Sequence, residues 1–284
     1  MPTKIYTEQP FDFAKHSTIG CGGFAKTAYY PQNEEEVIEL LATLQDNRVV
    51  VGNLSNVLPS DAGINRAVIC TKRLNEIRKT ADGAFVSAGV TSGALLRYMK
   101  DVGYTGAEFF AGIPCTVGGM LYMNGGAGGK YLSDIVKTVR VVRDGKAVDL
   151  PVEACGYSYK HSVFMRTNDF ILGGTLRLEK SDKQSVEKEI HRWLSMRAHL
   201  PKGKSMGCVF KNPQGLSAGA LIEGAGLKGT RVGGAKVSEI HANFIINDKN
   251  ATAKEISALI QRIKTAVYEK YGVTLQEEIR YIKE

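Results

Sequence analysis

Gly112-Ile-Pro-Cys-Thr-Val-Gly-Gly-Met-Leu-Tyr-Met-Asn-Gly-Gly-Ala-Gly-Gly129 places seven glycines in eighteen residues of a chain that is otherwise ordinary in composition. Glycine loses more conformational freedom on folding than any other residue, so a run of it persists where φ must be positive or where a ligand comes close to the main chain. Amides exposed in this way bind anions, phosphate above all. A mobile loop would also be glycine-rich, but a free linker is rich in Ser or Lys. This run carries Ile113, Pro114, Val117, Met120, Leu121 and Met123 instead. It reads as a docked surface that meets a phosphate-bearing ligand.

Composition narrows what that surface belongs to. A chain of 284 residues can hold two or three compact units, and 43% hydrophobic with 23% charged residues is a globular balance. Lys and Arg outnumber Asp and Glu by 37 to 29, a net charge of +8, which favours anionic partners. The basic residues are dispersed and match no nucleic-acid motif, so the expected partner is a polyanionic small molecule rather than nucleic acid. The five cysteines, at 21, 70, 115, 155 and 208, form no Cys-x-x-Cys pair and suggest neither a disulfide framework nor a zinc site. Residues 1–13 lack an apolar signal core, and no run approaches the ~20 apolar residues of a membrane span. A cytoplasmic protein is expected; the oligomeric state stays open.

Along the chain, 27–31, 34–44 and 49–52 read as strand, helix and strand. The second strand ends in Gly52-Asn-Leu-Ser-Asn56, a turn of small polar residues suited to a diphosphate, although any surface turn could look the same. Short strands are expected at 67–71, 84–88, 137–143, 146–150 and 170–179, with a helix at 92–102 where Leu95, Leu96 and Met99 share a face. A charged helix at 185–196 leads into 201–207, which reads as a linker. Beyond it lie a helix near 217–226, a strand at 241–247 and a helix at 253–271 with Ile256, Ile260, Ile263 and Val267 at helical spacing. Grouped strands with interrupting helices indicate an α+β class. The absence of Gly-x-Gly-x-x-Gly after the first strand argues against a Rossmann domain.

Four segments then match one family in order. The glycine run resembles its Gly-Ile-Pro-Gly-Thr-Val-Gly-Gly segment, and Tyr159-Lys-His-Ser-Val-Phe164 its Tyr-Arg-x-Ser-x-Phe segment. Ser205-Met-Gly-Cys-Val-Phe-Lys-Asn-Pro213 resembles Ser-x-Gly-Ser-x-Phe-Lys-Asn-Pro, and Leu275-Gln-Glu-Glu-Ile-Arg280 the closing Leu-x-x-Glu-x-Arg. The family is UDP-N-acetylenolpyruvoylglucosamine reductase, also called UDP-N-acetylmuramate dehydrogenase, of peptidoglycan precursor synthesis. The resemblance runs through nearly the whole chain.

That resemblance implies an α+β, FAD-binding fold of the vanillyl-alcohol-oxidase type with a C-terminal α+β substrate domain. It sets the expected divisions: flavin subdomains at 1–61 and 62–182, a substrate domain at 183–272, and a closing strand at 273–284 returning to the active site. It implies bound FAD, NADPH as hydride donor, and a UDP-sugar enolpyruvate as substrate. FAD is expected to meet Gly52, Asn53, Ser55, Asn56, Gly112, Ile113, Thr116, Gly118, Gly119 and Asn124. Substrate is expected at Tyr159, Lys211, Asn212 and Arg280. The catalytic positions are Cys208 as proton donor, Glu278, and Lys160.

Several positions depart from the family pattern. Cys208 replaces Ser; an unperturbed thiol is mostly protonated at neutral pH and releases its proton more readily than an alcohol. Lys160 replaces Arg and keeps the charge without the planar fork that grips a carboxylate at two points. Cys115 stands where Gly is usual, Gly128 where Tyr is common, and Leu54 interrupts a Gly-x-Gly-Ser-Asn turn. The five histidines include no i, i+4 pair, so no metal is expected, and His161 is expected in a surface or packing role. The alternatives are an FAD oxidoreductase of the same fold with another substrate, or a catalytically weakened nucleotide-binding relative.

Overall fold

Residues 5–284 are described by a computed structural model. Its α-helices are α1 (Phe13–His16), α2 (Glu34–Leu44), α3 (Ser92–Val102), α4 (Val117–Met123), α5 (Lys183–Arg197), α6 (Ala218–Gly224) and α7 (Ala253–Tyr271). Contacts divide the chain into two interleaved units. The first comprises the chain up to Glu8, Ala28–Asn53 and Ala67–Ala198, and the second Gln9–Thr27, Leu54–Arg66 and His199–Glu284.

Two sheets build the first unit. In one, Ala67–Cys70 lies between Ala28–Tyr30 and Arg48–Val51 and runs parallel to both, with Tyr6–Glu8 antiparallel at the edge. Helix α2 makes the crossover; Asn33 caps it by accepting the Glu36 amide at 2.9 Å, and Glu34, Glu35 and Glu36 face the positive end of its dipole. The other sheet is antiparallel, in the order Lys146–Pro151, Val136–Arg143, Phe170–Arg177, Gly83–Ser87, Ile77–Thr80. Val37 and Leu40 of α2 join Ile69, Val142, Phe170 and Leu172 in one apolar cluster. A larger cluster gathers Leu95, Leu96 and Met99 of α3 with Val117, Met120 and Leu121 of α4, and with Phe109, Phe110 and Trp193. Each such side chain removed from water contributes about 1.5–3 kcal/mol before the entropy of ordering it is counted.

The second unit holds a four-stranded antiparallel sheet ordered Ser205–Cys208, Phe244–Asn247, Ala235–Val237, Arg231–Val232. Ile256, Leu259, Ile260, Ile263 and Val267 of α7 are buried in its core. Helix α7 is anchored twice at its start. Thr252 and Glu255 form a capping box, and the Asp61 carboxylate accepts from the amides of Ala253 at 2.7 Å and Lys254 at 2.9 Å. Arg280–Ile282 pairs in parallel with Val57–Pro59 and carries the chain end back into this unit.

The structure corrects the local reading in two places. The segment read as a linker at 201–207 contains most of the strand Ser205–Cys208. Its Gly207 sits at φ +75° where the register shifts, so bulge chemistry looks like linker chemistry in the sequence. The glycine run, read as open backbone, contains α4; tertiary packing of Val117, Met120 and Leu121 overrides the poor helix propensity of Gly118 and Gly119.

Candidate active site

The glycine run and the Gly52 turn meet in the first unit. A Cβ on Gly52 would strike the Thr116 hydroxyl, and Asn53 Nδ2 donates to the Pro114 carbonyl at 2.9 Å. Thr116 caps α4, its hydroxyl accepting from the Gly119 amide at 3.4 Å. Ile113 is fixed by Ser92, whose hydroxyl donates to its carbonyl at 2.6 Å, and Gly112 turns the chain at φ +74°. The glycines differ in purpose. The Gly118 amide donates to the Ala88 carbonyl at 2.8 Å, and a Cβ there would lie 2.8 Å from Ala88 Cβ, so Gly118 lets α4 approach a strand. At Gly119 the nearest atom to such a Cβ is Thr116 Oγ1 at 3.6 Å, so this glycine leaves open space beside the start of α4. Neutral, close backbone of this kind fits the diphosphate of FAD.

Asn124 ends α4 in the left-handed region at φ +45°. Its buried amide donates to the Ser158 carbonyl at 3.0 Å and accepts from Ser133 N–H at 3.0 Å. Ser162, fully buried, donates to the Tyr122 carbonyl at 2.6 Å. These bonds fasten the Tyr159–Phe164 segment to the glycine run. Within it, Ser158 and His161 exchange backbone hydrogen bonds at 3.2 Å and close a two-residue turn of Tyr159 and Lys160. Lys160 holds φ +53°, a conformation lysine enters at a cost of about 1–2 kcal/mol. His161 Nδ1 lies 3.3 Å from the Gly156 carbonyl. Cys115 is buried, and burial pushes its thiol up to about 12.

The other predicted catalytic residues lie in the second unit. Cys208 ends its strand opposite Phe244 and is partly exposed. The chain beyond it pairs with the closing segment: Glu278 N–H donates to the Val209 carbonyl and Lys211 N–H to the Gln276 carbonyl, both at 2.8 Å. The neighbouring Glu277 is bound to Lys264 of α7 at 2.8 Å. Asn56 Nδ2 donates to the Glu278 carbonyl at 3.2 Å, and Arg280 N–H to the Asn56 carbonyl at 2.9 Å. Asn56 and its neighbour Ser55 thereby share a unit with Cys208, Glu278 and Arg280. Leu54 enters this turn buried at φ +51°, a glycine-favouring geometry at the position where the family pattern has glycine. Asn212 accepts the Ala218 amide at 3.0 Å and so ties the Lys211-Asn212 turn to α6.

Sequence reasoning missed Asn243. This buried side chain accepts from Phe210 N–H at 2.9 Å and donates to the Phe210 carbonyl at 2.8 Å, extending the ladder beyond Cys208 in place of backbone. A polar residue directly before the apolar strand Phe244–Asn247 was the available signal. Among the described residues there is no group of three or more His, Cys, Asp or Glu side chains that could hold a metal, and no helix is long and apolar enough to cross a membrane.

The chain matches the FAD binding domain over residues 25–150 and the C-terminal domain of UDP-N-acetylenolpyruvoylglucosamine reductase over residues 198–282. An α+β flavin-binding unit joined to a reductase domain defines an FAD-dependent oxidoreductase. The chain is 38% identical to the UDP-N-acetylenolpyruvoylglucosamine reductase of Geobacter metallireducens, covering 99% of this chain and 95% of that one. It is also 38% identical to that of Shouchella clausii, covering 95% and 89%. The crystal structure of the Thermus caldophilus enzyme superposes with a TM-score of 0.86 at 31% identity, over 98% of this chain and all of that one. The chain belongs to the UDP-N-acetylenolpyruvoylglucosamine reductase family.

Proposed function

We propose that this enzyme converts UDP-N-acetylglucosamine enolpyruvate to UDP-N-acetylmuramate through the groups Cys208, Glu278 and Lys160. Bound FAD supplies the hydride, taken from NADPH, for the terminal carbon of the enolpyruvyl group. The residues of the chain then handle charge and proton. Negative charge develops on the carbon bearing the ether and carboxylate, and the Lys160 ammonium holds it; each preorganised partner of this kind is worth about 2.7–4 kcal/mol. The Cys208 thiol delivers a proton to that same carbon. Glu278, on the closing segment hydrogen-bonded to the residue after Cys208, is the third catalytic group, and Arg280 contacts the substrate carboxylate. Tyr159, Lys211 and Asn212 hold the sugar nucleotide, with Lys211 at its diphosphate.

FAD is seated by Gly52, Asn53, Ser55, Asn56, Gly112, Ile113, Thr116, Gly119 and Asn124, Gly118 serving through the close approach of α4. The observation that carries the site assignment is the 2.8 Å bond from Glu278 N–H to the Val209 carbonyl, which sets Glu278 beside the residue after Cys208. The five cysteines form no disulfide, which accords with a reducing, cytoplasmic compartment, checked by cell fractionation. The decisive experiment is anaerobic reduction of the holoenzyme by NADPH followed by the enolpyruvyl sugar nucleotide. Bleaching and then recovery of the flavin band is expected; bleaching without recovery would exclude this substrate.

A further inference from the structure

We propose that Trp193 is a positioning residue of the active site: its indole stands where a side chain at position 128 would begin, and it holds the 126–131 hairpin against the Tyr159–Lys160 turn. The inference rests on the assignment of Lys160 above. Gly128 lies at the tip of the hairpin formed by Gly126–Ala127 and Lys130–Tyr131, at φ +58°. A Cβ there would meet Cη2 and Cζ3 of the Trp193 ring at 2.8 Å. A side chain at 128 and the indole in its present place therefore exclude one another.

The indole is itself held rigidly. It is only 5% exposed, its Nε1–H donates to Glu189 at 3.0 Å, and the Phe109 ring meets it edge-on at 6.5 Å. Arg192 places its guanidinium 5.3 Å from the ring centre and binds Glu189 at 2.8 Å, and the charge of Lys130, on the hairpin, also acts on Glu189. On the hairpin's other side the Tyr131 ring meets the Tyr159 ring at 6.3 Å and 86°. The indole against Gly128 and the Tyr131–Tyr159 ring contact thus connect α5 to the residue before Lys160, and a shift at Gly128 is passed to the turn that aims the ammonium.

The two half-reactions separate this role from simple core packing. In the role assigned above, Lys160 acts on the charge that develops on the enolpyruvyl group, so it belongs to flavin reoxidation and not to flavin reduction by NADPH. In holoenzyme carrying Gly128→Ala, or Trp193→Ala, reoxidation slows by on the order of tenfold or more, and flavin reduction stays within about twofold. Trp193→Phe, which keeps a ring in place, rescues reoxidation. The double variant Gly128→Tyr/Trp193→Ala reoxidises faster than Trp193→Ala alone, despite the strain of a side chain at φ +58°. Trp193 is the sole tryptophan, so its emission reports directly whether Gly128→Ala displaces the ring. If both half-reactions keep parental rates, or fall together, or if the double variant is no faster than Trp193→Ala, Trp193 is core packing only. If the parent holoenzyme itself is not reoxidised by this substrate, the functional assignment fails first, independently of any variant.

Discussion

At the scale of single residues, the proposed chemistry turns on a cysteine and a lysine where relatives are expected to carry serine and arginine. Burial pushes the thiols of Cys21 and Cys115 up to about 12 and that of Cys155 up to about 11, and raises Cys70 as well, whereas Cys208 is partly exposed. Iodoacetamide should therefore modify Cys208 first in the folded protein and abolish reoxidation of the flavin, with the labelled peptide identified by mass spectrometry. Cys208→Ser should retain turnover and Cys208→Ala should lose about 10²–10⁴-fold in kcat; an alanine variant as fast as the parent would remove the thiol from the mechanism. At position 160 the turn already accepts a side chain at φ +53°, so Lys160→Arg adds the planar, two-nitrogen fork at no new backbone cost. We expect kcat/KM at or above the parent for Lys160→Arg and about 10²-fold below it for Lys160→Met, measured by steady-state NADPH oxidation. Motif order made these two positions legible. The ion pair of Glu277 with Lys264 was not, because its partner lies on a helix 13 residues away in the chain.

At the scale of elements, α4 shows why the glycine run is both structure and site. Periodic apolar residues were visible in it, but seven glycines mask a helix unless its partner is known. That partner is the strand Gly83–Ser87 and the residue after it: Gly118 N–H bonds the Ala88 carbonyl at 2.8 Å, with no room for a Cβ. Gly118→Ala should push α4 off this strand, destabilising the protein by about 1–3 kcal/mol in urea denaturation and weakening FAD retention on gel filtration. Equal FAD retention would mean that the helix start does not govern the seat. The helices α2, α3 and α7 were legible to the residue, since each combines an apolar stripe with a capping residue, Asn33, Thr91 or Thr252. The short strands Tyr6–Glu8, Val57–Pro59 and Ile77–Thr80 left no such signal, because their partners lie elsewhere in the chain.

At the scale of the whole molecule, stability should depend on pH through ion pairs that close long loops. Asp169 accepts from Arg143 Nε at 2.9 Å and from its terminal nitrogen at 2.8 Å, and Thr167 adds a bond at 2.9 Å. The Arg143 guanidinium, above all, holds the Asp169 carboxyl below the usual carboxylate range. The unfolded chain then takes up this proton at a higher pH than the folded one, so the stabilisation is complete above about pH 4 and is lost as pH falls through the folded value. Asp169→Asn should cost about 1 kcal/mol at neutral pH and little at about pH 3, compared by urea titration at both; an equal loss at both would mean the charge is irrelevant. The family, the α+β class, the long helices and the catalytic motifs were determined by the sequence itself, since they rest on residue identity and local periodicity. Only the tertiary structure decided that Gly118 serves packing, that Asn243 completes the ladder beside Cys208, and that Trp193 stands in the space of a side chain at 128. Each of those depends on a contact between residues distant in the chain, and no local pattern specifies which distant surface a residue will meet.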